Sequence, residues 1–239
     1  MKQNGNALFL ILIAVGILAA LTFAVTNSSR MNTNLDDETI ELTVNEIFEQ
    51  SSNLEYSLKR FLLVNEYDIS EIDLYDAAKG DNGNLTSCST DACNLFHTNG
   101  GGVSAPQLPT NAFDSAPTSC NSGLMNGRYK YHFRITSFDS IGTDLPEIVL
   151  IYNCVRDEVC DAVNYRLNLL EKGDADIEHS KGSFGTDYGS FNGSSPALSG
   201  LTPDFIGSED ARVVGQKMFC EKAPSVSLGN TLYSVILAR

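Results

Sequence analysis

The chain has 239 residues, a length that allows one or two domains. It carries 16 lysine and arginine residues against 30 aspartate and glutamate residues, a formal net charge of -14. Phosphate backbones repel so acidic a surface, which argues against nucleic-acid binding through a broad basic face. Hydrophobic residues make up 42% of the chain, enough for a globular core.

The first predicted element is the uncharged run over residues 6–26, which reads NALFLILIAVGILAALTFAVT. Its length matches the roughly 20 residues that cross a bilayer as a helix. Lys2 precedes the run and the acidic stretch 36–38 follows it, so the positive-inside tendency places the N-terminus in the cytoplasm. Three interpretations stay open: an uncleaved signal anchor, a signal peptide cleaved after Ala24, and a prepilin leader.

The residues before the run form a short polar leader, Met1-Lys2-Gln3-Asn4-Gly5. In this leader, in the apolar run that follows at once, and in the GILAA stretch 16–20, the chain resembles type IV pilins and type II secretion pseudopilins. The resemblance implies cleavage by a prepilin peptidase between Gly5 and Asn6, and methylation. It also implies assembly with other pilin or pseudopilin subunits from the inner membrane.

Two positions depart from that family. Mature pilins usually begin with Phe and carry Glu at their fifth position, where this chain has Asn6 and Leu10. The family's Glu pairs with the N-terminal amine of a neighbouring subunit. Its absence fits a minor or divergent subunit better than a major pilin.

After a polar stretch over 27–34, apolar residues return at alternating steps of four and three, the spacing of a helix with one apolar stripe. This pattern predicts a helix over 35–64, capped by Thr33 or Asn34 and continuing the stem outside the cytoplasm. The stripe packs on the protein's own sheet or, along part of its length, on neighbouring subunits. With Ser51 as its one interruption, the stripe consists of Ile40, Val44, Ile47, Leu54, Leu58 and Phe61.

All six cysteines follow the apolar run, and an even number in an exported domain predicts disulfides. They are Cys88, Cys93, Cys120, Cys154, Cys160 and Cys220. Short separations favour pairing Cys88 with Cys93 and Cys154 with Cys160, which leaves Cys120 for Cys220. No pair has C-x-x-C spacing and the histidines are scattered, so no zinc site is predicted.

The head domain is predicted over 65–239 and begins with an irregular region over 81–126 rich in Gly, Ser, Asn and Pro. The predicted fold class is α+β: a long N-terminal membrane-spanning helix followed by a pilin-like head with an antiparallel sheet of about four strands and one short inserted helix. The patterns place strands at 129–138, 147–153, 212–220 and 231–238, the helix at 157–170, and a long loop at 171–209.

The sequence shows no constellation typical of catalysis. Gly100–Gly102 lacks the Lys-Ser/Thr of a phosphate loop and indicates a turn, and His97 has no nucleophile placed to use it. The stretches 81–84 (DNGN) and 208–210 (SED) offer oxygen ligands for a cation, but neither follows the twelve-residue calcium loop. We therefore predict no enzymatic activity, cofactor or metal. The loop aromatics Phe184, Tyr188 and Phe191 form a contact patch or cover the core.

Together these features predict a structural subunit of a type IV pilus-like or type II secretion pseudopilus-like filament. Its parts are a leader over 1–5, a transmembrane helix over 6–26, the stem over 35–64 and the disulfide-bonded head. The expected location is the bacterial inner membrane in a single pass, with the N-terminus cytoplasmic and the head periplasmic or extracellular. The alternative is a single-pass, membrane-anchored periplasmic binding protein with an uncleaved signal anchor.

Overall fold

A computed structural model of the chain describes residues 31–74, 88, 90–113, 131–136, 140–142, 147–171, 173–177, 210–222 and 230–238, together with Ile13, Val15, Ile17 and Leu18. The chain divides into two compact units, Met1–Leu42 and Thr43–Arg239. The boundary between them falls inside the longest helix that the structure describes.

That helix, α1, covers Met31–Asn65 and so begins earlier than the sequence pattern predicted. Thr33 and Asn34 lie inside it, so neither is its N-cap. The stretch 31–34 contains no Gly or Pro, the two residues that disfavour a helix most, so its polar composition does not end the helix. The helix gives way to a left-handed residue, Glu66, with φ of 57°.

The prediction of a membrane-spanning helix is corrected for the part of the chain that the structure describes, where no helix is both long and apolar enough to cross a membrane. α1 has the length, but charged side chains such as Asp37, Glu41 and Arg60 interrupt it, and these are costly in hydrocarbon. Four residues of the run 6–26 are described: Ile13, Val15, Ile17 and Leu18 are helical and exposed. The rest of that run lies outside the described residues.

The predicted fold class is therefore wrong in its leading element: the long helix that the structure describes is charged along its length. After this helix in the chain come the strands of a four-stranded antiparallel sheet, in the order β1-β2-β4-β3. Its strands are β1 (Tyr131–Thr136), β2 (Glu147–Val155), β3 (Met218–Glu221) and β4 (Asn230–Leu237).

The strand predicted over 212–220 is wrong in its first half, because residues 211–215 form a turn. Asp210 accepts the main-chain N–H of Arg212 at 2.9 Å, and Gly215 adopts a φ of 76° that a strand residue does not take. The strand itself is restricted to Met218–Glu221.

The short helix α2 covers Asp157–Arg166, between β2 and β3 in the chain, and packs against β3 and β4. It ends four residues before the predicted boundary at 170. Asn168 has a φ of 56°, a left-handed conformation that ends helices, and the turn after Arg166 places Leu169 and Leu170 in the core.

Both faces of β2 are covered, since every one of its residues is buried. On one face Val149 and Ile151 join a core cluster that also contains Phe219 and Tyr233. The alternate residues of β2, which include Ile148, Leu150 and Tyr152, point to the other face. Tyr152 shares that face with Cys220, which is disulfide-bonded to α2. Coverage on both sides explains why this strand is apolar almost throughout rather than alternating.

Candidate assembly surface

The predicted apolar stripe of α1 is buried from Val44 onward. Val44, Ile47 and Leu58 are fully buried, Leu54 and Phe61 nearly so, whereas Ile40 is only half-buried. Each such side chain contributes roughly 1.5–3 kcal/mol when removed from water. Between residues 44 and 61, then, the stripe belongs to the core of the unit Thr43–Arg239.

Polar contacts fix α1 to the rest of this unit. The Gln50 side-chain amide pairs with the main chain of Gln107: its oxygen accepts the Gln107 N–H at 3.0 Å and its nitrogen donates to the Gln107 carbonyl. Glu55 lies 2.6 Å from the Lys59 ammonium and 3.6 Å from that of Lys217. Burial raises the pKa of Glu55, but the Lys59 hydrogen bond and the Lys217 charge outweigh it and lower the pKa below its ordinary value.

The hydroxyl groups of Ser51 and Tyr152 are buried without a hydrogen-bond partner among the described residues. Burial, and then the charge of Glu46, raises the pKa of Tyr152 far above its usual range, so the phenol stays neutral. A buried polar oxygen without a partner costs roughly 1–3 kcal/mol. Ser51 thus weakens the stripe whose spacing it interrupts.

The opposite face of α1 carries large apolar side chains in solvent. Tyr56 is 69% exposed, Leu63 79% and Val64 70%. Tyr56 and Leu63 stand seven residues apart, two helical turns, and so on the same face. We call these three residues the outer patch. In the other unit, Leu42 is exposed as well.

Two disulfides have both of their cysteines among the described residues. Cys88 bonds to Cys93, as predicted, and Cys160 bonds to Cys220. The predicted pairings of Cys160 with Cys154 and of Cys220 with Cys120 are therefore wrong. The prediction relied on short separations in the chain, whereas the packing of α2 against β3 brings Cys160 and Cys220 to a Cα separation of 5.3 Å. Cys154 is also disulfide-bonded.

Arg212 connects the segment 173–177 to the turn that precedes β3. Arg212 binds the Asp210 carboxylate and donates to the carbonyls of Ala175 and Asp176 at 2.8 and 3.3 Å. The Arg212 hydrogen bonds lower the pKa of Asp210 despite its partial burial. This carboxylate, part of the acidic stretch 208–210 considered as a cation ligand, is thus engaged by a cation of the chain itself.

The glycine run at 100–102 is a turn, as its composition indicated. A Cβ on Gly100 would stand 2.1 Å from the Asn94 carbonyl oxygen and one on Gly101 2.4 Å from that of Leu95, so neither position accepts a side chain. The carbonyl of His97 accepts the N–H groups of Gly100 and Gly102, and its ring nitrogen accepts that of Asn99. His97 thus stabilises the loop in which it lies by accepting three main-chain hydrogen bonds.

Several residues singled out from the sequence lie outside the described residues. They are the cleavage pair Gly5 and Asn6, Cys120, the oxygen ligands at 81–84, and the aromatics Phe184, Tyr188 and Phe191. Within the described ranges, no group of three or more His, Cys, Asp or Glu side chains is placed to hold a metal ion.

The sequence analysis missed three polar residues that join elements: Gln50, Asn164 and Arg166. Asn164 is almost fully buried and binds the main chain of Cys220, and Arg166 reaches Phe48 and Asn45 on α1. A signal for Asn164 was present, because it stands four residues after Cys160 among the buried positions of α2. Gln50 and Arg166 have no such signal, since their partners are far away in the chain.

Comparison with protein-family models, curated proteins and solved structures finds no match to this chain.

Proposed function

We propose that the chain is a structural subunit of a type IV pilus-like or type II secretion pseudopilus-like filament, released from its precursor by cleavage after Gly5. The observation that carries the proposal is the two-sided character of α1. One face is core of the head, and the opposite face presents the outer patch to solvent. A helix built in this way holds a head domain while offering a second apolar surface to neighbouring subunits.

Two further features support the proposal. The disulfides fit a head that matures in an oxidising compartment outside the cytoplasm. The polar leader and uncharged run before α1 suit a precursor held at the inner membrane until assembly. The head then lies on the periplasmic or extracellular side, and the partners are other subunits of the same kind and the prepilin peptidase.

Mass spectrometry of the native N-terminus tests the processing step. We expect a mature chain that begins at Asn6, and Gly5→Ala should slow its formation. A native chain that begins at Met1 would instead support the membrane-anchored periplasmic binding protein, and one that begins at Val25 a secreted protein.

Substitution of the outer patch tests assembly. Tyr56→Asp and Leu63→Asp should reduce incorporation into filaments, scored by shear release from cells, without lowering the melting temperature, because both side chains are already in solvent. Ser104→Asp, an exposed position in a head loop, is the matched control. Incorporation of both outer-patch variants at the control's level would contradict the role of the outer patch.

A further inference from the structure

Among the described residues, side-chain and loop atoms bind main-chain groups along the outer edge of β3. In an antiparallel pair, alternate residues direct their N–H and C=O groups away from the partner strand. Cys220 is such a residue: its N–H donates to the Asn164 side-chain oxygen at 2.9 Å, and its carbonyl accepts the Asn164 side-chain NH₂ at 2.8 Å. One amide thus makes both hydrogen bonds that a neighbouring strand would make.

Covalent bonding holds this amide in position. Cys160 and Asn164 stand four residues apart, on the same face of α2, and both reach Cys220. Cys160 bonds to its sulfur, while Asn164 binds its main chain. Cys160 and Cys220 are fully buried and Asn164 is 1% exposed, so the arrangement excludes water.

A second set of contacts covers Lys222, two residues after Cys220 and directly after the end of β3. The N–H of Lys222 donates to the Ile177 carbonyl at 2.8 Å. The Lys222 ammonium binds Asp161 of α2 at 2.8 Å and Asp176 at 3.1 Å, so it joins the two elements that cover the edge. The helix therefore binds the main chain of Cys220 within β3, and the segment 173–177 binds that of Lys222, the residue directly after the strand.

We propose that Asn164, positioned by the Cys160–Cys220 disulfide, closes the edge of β3 against pairing with the same strand of a second copy of the chain. Strands at sheet edges carry main-chain groups that any other strand can satisfy. Main-chain pairing does not depend on sequence, so an identical β3 is a sufficient partner. The sequence of β3, MFCE, has three apolar residues and a single charge, so it offers little repulsion of its own.

The test is Asn164→Leu in the full-length protein, kept in one mild detergent because residues 6–26 are apolar. Leucine has a similar size and cannot bind the Cys220 main chain. We expect its monomers to exchange the Cys220 amide proton roughly tenfold faster than wild type, as the loss of one hydrogen bond implies. We also expect dimers or larger species by light scattering, in which the amides of 218–222 are protected again.

Asn99→Leu, at an exposed loop position, controls for added apolar surface. The proposal is overturned if Asn164→Leu associates no more than this control. It is also overturned if Asn164→Leu associates but the amides of 218–222 stay unprotected. If Asn164→Leu loses its near-UV circular dichroism, it is replaced by Asn164→Ala, which removes both the acceptor for the Cys220 N–H and the donor to its carbonyl. Wild-type mass and a wild-type exchange rate for Asn164→Ala overturn the proposal as well.

The positioning role of the disulfide has its own readout. Cys160→Ala/Cys220→Ala leaves Asn164 in place but frees α2 from the covalent constraint. Faster exchange of the residue 220 amide in this double variant, together with association, is the expected result. Wild-type exchange and wild-type mass would show that Asn164 holds the edge alone and would remove the disulfide from the proposal.

Discussion

The guanidinium carbon of Arg166 lies 5.1 Å from the centre of the Phe48 ring. The same guanidinium donates to the side chain of Asn45, so the last residue of α2 reaches two positions on α1 that are three residues apart. This contact joins the two helices. It is absent from any local sequence pattern, because 118 residues separate Phe48 from Arg166.

A double-mutant cycle on Arg166→Ala and Phe48→Leu should give a coupling free energy of roughly 0.5–1 kcal/mol, the range for a cation over an exposed aromatic ring. Chemical denaturation of the two single variants and the double variant measures it. Arg166→Lys keeps the positive charge at the end of α2 and should retain part of the coupling. A coupling near zero would mean that the ring and the guanidinium contribute independently to stability.

Removal of the buried Ser51 hydroxyl should stabilise the protein. Ser51→Ala and the exposed Ser52→Ala gain the same helix propensity, about 0.5 kcal/mol, so their difference isolates the hydroxyl. We expect Ser51→Ala to exceed Ser52→Ala by about 1 kcal/mol in the free energy of unfolding. Equal gains would indicate that water satisfies this hydroxyl in the folded state.

The Cys160–Cys220 and Cys88–Cys93 disulfides should differ in their contribution to stability. The Cys160–Cys220 bridge spans 60 residues and the Cys88–Cys93 bridge spans 5. Loop-closure entropy then gives about 4 kcal/mol for the first and about 2 kcal/mol for the second. Thermal unfolding of the Ala/Ala variants measures the order, and non-reducing peptide mapping should recover both bridges. Mapping of Cys160 to any other cysteine would refute the packing of α2 on β3 described above.

The Asp210–Arg212 pair predicts a pH dependence whose sign follows from the lowered pKa of Asp210. The unfolded chain binds the proton near the ordinary value of 3.8, and the folded chain binds it only at lower pH. The contribution is therefore full above 3.8 and is lost as the pH falls through the folded pKa.

Asp210→Asn should accordingly destabilise the protein by up to about 1 kcal/mol at neutral pH, because the pair is partly exposed. The difference from wild type should vanish at the acidic end, as followed by urea denaturation across pH 2–7. A difference that stays constant with pH would assign the effect to the neutral hydrogen bonds with Arg212.

Hydrophobic periodicity predicted the main packing of this fold and little of its detail. The spacing of Val44, Ile47 and Leu58 identified the buried face of α1, since helical period and burial are directly coupled. The apolar run at 147–153 likewise identified the strand β2, which the structure shows to be buried throughout. The patterns failed where tertiary contacts decide: the partner of Cys160 depends on how α2 packs against β3, and no local rule contains that information.

The site followed the same division. The three consecutive glycines identified the turn at 100–102, and the even number of cysteines predicted disulfides. Both arguments need only the residues themselves and not their tertiary contacts. The outer patch was not predicted as such, because an exposed Tyr56 or Leu63 is an ordinary observation until the rest of α1 is known to be buried.

The pairing of Gln50 with the main chain of Gln107 has a consequence for how this protein can change over time. The loop is held at that point by atoms common to all residues, so any residue with a main-chain N–H keeps the anchor. Side chains exposed beside it, at Ser104 and Gln107, are free to diversify while the path of the chain persists. Substitution can therefore change the exposed chemistry of this loop without changing its anchor, with Gln50 as the position that must stay the same.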